Sequence, residues 1–142
     1  MKRIILICTL LISAVTFSQG PPITLHNDLA NCQVEYELYQ INTTTLDCTS
    51  LIVSTHALGV LTYGYVVNPL PGHAFVKAEV RKGGGTPSCF IAVVEPDDSP
   101  CNSVAIPEYI HFDQCCSSSI SGGMSVKWTG GMASPNIVTQ ND

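Results

Sequence analysis

The sequence predicts an all-β protein, an antiparallel two-sheet β-sandwich of immunoglobulin-like or jelly-roll-like type with 7–9 strands, stapled by disulfides. Three observations carry that prediction. Apolar residues recur at period two along most of the chain. Turn-forming clusters interrupt those runs at the short intervals of an antiparallel meander. Six of the seven cysteines remain once an N-terminal export segment is set aside. A small β-barrel is the alternative, because it closes the same short strands around one core.

The first element lies outside the fold. Lys2 and Arg3 supply positive charge, Ile4 to Val15 form an apolar stretch, and Thr16-Phe17-Ser18 offers small residues before a cut at Gln19. This is the pattern of a secretory signal, and the stretch is too short to span a bilayer. Cys8 sits inside the apolar run rather than closing it, which speaks against a lipidated cysteine. Residues 1–18 are therefore expected to be a signal peptide and residues 19–142 a single β-sandwich domain.

What remains after the cut has the size of one domain. Only Lys77, Arg81, Lys82 and Lys127 stay basic against all eleven acidic residues, so four positive and eleven negative charges give −7 in place of the −5 of the whole chain. Nucleic acid is excluded as a partner, since phosphate binding needs clustered positive charge. Ser, Thr, Asn and Gly fill the gaps between apolar runs and only 12% of residues are charged, a profile that suits an extracellular β-protein.

The strands follow in order. Ile23 to His26 is a short first strand. Cys32, Val34, Tyr36 and Leu38 share one face, with Gln33, Glu35 and Glu37 on the other, so this strand has one wet side. Leu51 to Thr55 and Val60 to Val67 are β-rich with weaker alternation. Ala74, Val76, Ala78 and Val80 alternate with Phe75, Lys77, Glu79 and Arg81. Cys89 to Glu95 contains the continuous apolar run Phe90 to Val94, which suggests a strand covered on both faces. Val104 to Phe112 is interrupted by Pro107, which places it at an edge or a bulge. Met124, Val126 and Trp128 alternate with Ser125, Lys127 and Thr129, and Asn136 to Thr139 closes the series. Turns are expected at Asn42 to Thr45, Asn68 to Gly72, Gly83 to Gly85, Pro96 to Pro100, Gly122-Gly123 and Gly130-Gly131.

Cys32, Cys48, Cys89, Cys101, Cys115 and Cys116 are the disulfide candidates, three bridges being the simplest outcome in an oxidising compartment. Cys115 and Cys116 are adjacent and point to opposite faces of an extended strand, so they are expected to take different partners, for which Cys89 and Cys101 are the natural choices, a strained direct Cys115–Cys116 bridge being the alternative. Elimination then pairs Cys32 with Cys48. A regular hairpin turning at Asn42 to Thr45 places Cys48 near Tyr39, far along the strand from Cys32, so that bridge needs a folded-back loop or a crossing between sheets.

No nucleophile elbow, phosphate loop, dinucleotide pattern or metalloprotease helix occurs. The protein is not expected to be an enzyme, and no cofactor and no metal are expected. His26, His56, His73, His111 and Asp113 read as strand-end or strand-face residues. Glu95, Asp97 and Asp98 lie in a turn framed by prolines, and a calcium ion needs more oxygen ligands than these supply. No pair of cysteines has zinc-site spacing. Asn42-Thr43-Thr44 matches a glycosylation pattern but reads as a polar turn.

Aromatic residues give the lead toward binding. Tyr39, Tyr63, Tyr65 and Phe75 are the candidates for stacking on a ligand. Tyr39 and Phe75 lie on the polar phase of their strands and are expected at the surface. Tyr63 and Tyr65 share one phase and are expected to line a core layer, an exposed pair being the alternative.

The Phe17-Ser18-Gln19 end of the signal resembles those of Gram-negative bacterial exported proteins. The layout from Ile23 through Cys32 to Trp128-Thr129-Gly130 resembles small disulfide-bonded β-sandwich proteins, a class with no assigned activity, so no functional residue is carried over. The leading expectation is a secreted or cell-surface protein, with the periplasm as the other compartment, that acts in adhesion, protein interaction or assembly. Its partner is a protein or glycan at the cell exterior, no membrane span remains after the signal is removed, and homo-oligomers form through edge strands. The alternatives are a carbohydrate-binding module and a small secreted hydrolase or protease inhibitor.

Overall fold

The period-two runs become nine β-strands among the residues that the computed structural model describes, which are 19–30, 32–82, 91–101, 109–112 and 124–141. The strands are β1 (Ile23–Asn27), β2 (Val34–Asn42), β3 (Ile52–Leu58), β4 (Thr62–Val67), β5 (His73–Lys82), β6 (Ile91–Val94), β7 (Tyr109–Phe112), β8 (Met124–Thr129) and β9 (Asn136–Asn141). Each apolar run read from the sequence overlaps one of them, and no helix occurs among the described residues.

Five strands form one sheet in the order β4-β1-β9-β8-β7, and four form the other in the order β3-β2-β5-β6. Ile23, Leu25, Val126, Trp128 and Ile137 from the first join Val34, Tyr36, Leu38, Ala78, Val80 and Val94 from the second in one buried apolar cluster. Two sheets sharing one core make a sandwich rather than a barrel. Burying this set drives the fold, at about 25 cal/mol for each Å² of apolar surface removed from water.

One strand pair departs from the expected antiparallel order. β1 lies parallel to β9, with Thr24 opposite Asn136 and Asn27 opposite Thr139, while β1 also pairs antiparallel with β4. The chain leaves β1 for β2 in the other sheet, so no hairpin selects the neighbours of β1 in its own sheet. Its place is filled between β4 and the last strand.

The two long central strands of the smaller sheet carry a bulge that the alternation pattern does not anticipate. β2 and β5 pair residue for residue from Val34↔Lys82 to Tyr39↔Lys77, but Gln40 then faces Phe75, so Val76 is the extra residue in β5. An extra residue reverses the side-chain phase beyond it. Phe75 therefore turns into the core at 1% exposure, which corrects the expectation that it lies at the surface. Gln40 is buried beside it and accepts a hydrogen bond from the Leu70 backbone N–H at 2.7 Å.

The cysteine pairing is likewise corrected. Cys48 bonds to Cys101 with their Cα atoms 5.5 Å apart, joining the loop after β2 to the loop after β6. Cys32 is disulfide-bonded too, to neither of these. The reason is strand length. Cys32 precedes β2 and Cys48 follows it, and a nine-residue strand separates them by about 30 Å at its usual rise. Cys89, Cys115 and Cys116 lie outside the described residues, as do Pro107, Asp113 and the serine run from Ser117. The loop carrying Cys101 is fixed a second way, since both Asp98 carboxylate oxygens accept from the Met132 backbone N–H, at 2.8 and 3.1 Å.

Candidate functional site

β3 and β4 are consecutive strands that end up in different sheets, each at the end of its sheet order. A single connected segment thus supplies the open edges of both sheets on one side of the sandwich. Its sequence is unusual for that position. From Cys48 to Val76 there is no Asp, Glu, Lys or Arg. Edge strands of soluble proteins are ordinarily protected by charge.

Apolar exposure concentrates there as well. Of the nine large hydrophobic residues at the surface among the described residues, seven lie between Ile52 and Val66: Ile52, Val53, Val60, Leu61, Tyr63, Tyr65 and Val66. Single exposed apolar residues are normal, but a contiguous set marks a surface that meets something.

The two tyrosines are the most informative members. Tyr63 is 61% and Tyr65 is 44% exposed, so the expectation that they line a core layer is corrected. They do not form one platform either. Pairing between β1 and β4 slips between Leu25↔Tyr65 and Asn27↔Thr62, where β4 carries one residue more than β1. Gly64 sits in that bulge at a φ of 65°, a left-handed conformation that favours glycine. The bulge sends the two rings to opposite faces.

Tyr65 lies opposite buried Leu25 on the inner side and meets His56 of β3, ring centroids 6.0 Å apart. Tyr63 meets His26, which is half-buried on the outer side of β1, with centroids 6.5 Å apart. The Gly64 backbone N–H donates to Nδ1 of His26 at 3.3 Å and so ties the bulge to β1. The His56 Nε2 atom lies 3.2 Å from the Ser54 hydroxyl, and burial pushes its imidazole below the ordinary value of 6.5. The His56–Tyr65 contact closes the gap between the sheets along this edge.

The outer face of the smaller sheet has a different character. Glu35 and Glu37 on β2 both engage the Arg81 guanidinium on β5, with Arg81 Nε 2.7 Å from Glu35 Oε1. Lys77 pairs with Glu79 at 3.1 Å and also lies 4.4 Å from the centroid of the Tyr39 ring. Tyr39 is thus half-buried under a lysine rather than presented openly, and burial followed by the Glu79 carboxylate pushes its phenol up. Of the four proposed stacking residues, only Tyr63 and Tyr65 are open to a ligand.

No protein family, curated protein or solved structure matches this chain. Its own residues are therefore the guide to its role.

The remaining sequence candidates do not gather. His26 and His56 lie on opposite sides of the edge, and His73 contacts the Pro71 carbonyl. Glu95 is nearly buried, and desolvation pushes its carboxyl up while Lys77 partly offsets the shift. Among the described residues no group of three or more His, Cys, Asp or Glu side chains is placed to hold a metal ion, and no helix is long and apolar enough to cross a membrane. The β3–β4 edge does not stand out as a unit in the sequence because its alternation is weak. The charge-free stretch from Cys48 to Val76 is the signal that could have found it.

Proposed function

We propose that this protein is an exported, non-enzymatic β-sandwich that binds another protein at the cell exterior through the β3–β4 edge, in adhesion or assembly. The observation that carries this reading is the clustering of seven exposed apolar side chains on two edge strands and the turn between them, a segment that lacks any Asp, Glu, Lys or Arg. Such an edge offers backbone groups for strand addition and aromatic side chains for anchoring, the two ingredients of strand-mediated recognition. Export is supported by the signal-like N-terminus and by the Cys48–Cys101 bridge, which belongs to an oxidising compartment.

A glycan reading draws on Tyr63, the most exposed of the rings. The orientation of Tyr63 and Tyr65 to opposite faces weighs against it, because a sugar chain stacks on rings that share one surface.

The test compares the exported protein with a Tyr63→Ser/Tyr65→Ser variant in chemical crosslinking on intact cells and in sedimentation. The expected result is a defined protein complex with the unaltered chain and its loss in the variant, while a cooperative thermal transition shows that the variant is still folded. A chain that stays monomeric at every concentration, with no crosslinked protein partner, overturns the proposal. Binding on a glycan array that Tyr63→Ser abolishes, in the absence of any protein complex, replaces it with the glycan reading.

A further inference from the structure

We infer that the partner at this edge is a second copy of the chain, with β3 pairing antiparallel to β3 across a two-fold axis at Thr55. This rests on the reading of the β3–β4 edge as a protein-binding surface and adds the identity of what binds. The backbone selects β3. It keeps an unbroken register with β2 from Val34↔Leu58 to Gln40↔Ile52, whereas β4 is interrupted by its bulge at Gly64. A regular ladder extends from a regular edge.

The register follows from symmetry. In an antiparallel pair, directly opposed side chains lie on the same face, so a two-fold axis normal to the sheet brings residues of like phase together. Full overlap of the seven residues of β3 puts that axis at Thr55, its central residue. Ile52 then meets Leu58 of the second copy, Val53 meets Ala57, Ser54 meets His56, and Thr55 meets itself. Aliphatic side chains face aliphatic ones, hydroxyls face a hydroxyl or an imidazole, and no like charges are opposed. The two four-stranded sheets become one continuous sheet.

Charge favours a second copy. The chain carries a net charge of −5, so two molecules repel each other over most of their surfaces. The stretch from Cys48 to Val76 is where they approach at little Coulomb cost. Pairing also covers apolar surface, since Ile52 and Val53 of β3 are 39% and 46% exposed in the single chain.

The experiment is sedimentation velocity of the exported protein across a concentration range, alone and as Thr55→Lys and Thr55→Glu. Thr55 is exposed, so both variants should melt as the unaltered protein does. The expected result is a reversible dimer for the unaltered chain and, for each variant alone, dimerisation weakened by about tenfold or more, since like charges then meet at the axis. An equimolar mixture of the two variants should form a heterodimer, because the ammonium of one copy faces the carboxylate of the other only if this position meets itself. Hydrogen exchange gives a second reading, in which β3 amides gain protection as concentration rises. A chain that remains monomeric, variants that dimerise unchanged, or a mixture that fails to pair overturns the inference. A monomeric chain whose crosslinked partner is a different protein, lost on Tyr63→Ser/Tyr65→Ser, overturns self-pairing and leaves the protein-binding reading standing. Absence of both overturns the two together.

Discussion

The Tyr36 hydroxyl lies 2.7 Å from Oγ1 of Thr139, and this contact joins the two sheets through the middle of the core. Tyr36 belongs to the second strand of the smaller sheet and Thr139 to the last strand of the larger one, and both are fully buried. The phenol also donates to the His26 carbonyl on β1 at 2.8 Å. Its single hydrogen is spent on that carbonyl, so Thr139 donates to the phenol oxygen. Burial raises the Tyr36 phenol well above its ordinary value, which keeps it neutral and able to donate.

Tyr36→Phe leaves the ring in place but strands the buried Thr139 hydroxyl and takes one donor from the His26 carbonyl. The expected loss is about 1–3 kcal/mol, the usual penalty for unsatisfied buried polar groups. Adding Thr139→Val removes one stranded group, so the double variant should be no less stable than Tyr36→Phe alone. Urea unfolding at constant slope checks this, and a double variant much less stable than either single one would contradict the assigned network.

The strand set is legible in the sequence because alternation and burial coincide wherever the ladder is regular. Val34, Tyr36 and Leu38 point inward as their spacing implies, and so do Val126 and Trp128. Legibility fails at the bulges. Val76 in β5 and the slip at Gly64 in β4 each insert one residue, and beyond each the phase inverts, so strict alternation places Phe75 outward and groups Tyr63 with Tyr65. The Cys48–Cys101 bridge is hidden for another reason. It joins loops 53 residues apart whose proximity depends on the complete sheet order.

Asn27 is a buried polar residue that makes three hydrogen bonds. Its Nδ2 donates to the carbonyls of Cys32 and Gly59, both at 2.7 Å, and its Oδ1 accepts from the Leu29 N–H at 3.2 Å. One side chain thus fastens the β1–β2 connection to the turn between β3 and β4. Asn27→Asp replaces the amide donor by a carboxylate facing two carbonyls, and should destabilise the fold by about 3 kcal/mol or more. Because the clasp holds the β3–β4 turn, hydrogen exchange in β4 should rise in this variant before exchange in β8 does. Uniform loosening of both strands would argue against a local clasp.

The Cys48–Cys101 bridge closes a loop with a sequence separation of 53. Removing it by Cys48→Ser/Cys101→Ser should lower unfolding free energy by about 2–4 kcal/mol, the loop-entropy value reduced by any residual order in the unfolded chain. Asp98 should hold its loop in place meanwhile through its contact with the Met132 N–H. Asp98→Ala in the same background therefore removes the second tether, and the combined loss should exceed the sum of the two separate ones. Denaturant midpoints of the four proteins decide it, and strict additivity would show that the two tethers act independently.

His56 gives the edge a pH dependence whose sign is fixed by its environment. Burial holds its imidazole below the ordinary 6.5 in the folded protein. Above about pH 6.5 neither the folded nor the unfolded chain carries the proton, and His56 contributes nothing to pH dependence. As pH falls through that value the unfolded chain takes up a proton that the folded state resists, so stability declines until the lower folded value is reached and then stays level. Glu95 works in the opposite sense, because its raised carboxyl costs stability as pH climbs above 4.5. The two are separated by comparing the protein with His56→Gln from about pH 8 to about pH 5, the window in which an imidazole titrates. The variant should lose the decline below about pH 6.5 while keeping the Glu95 trend, and identical pH profiles for the two proteins would remove His56 as the titrating group.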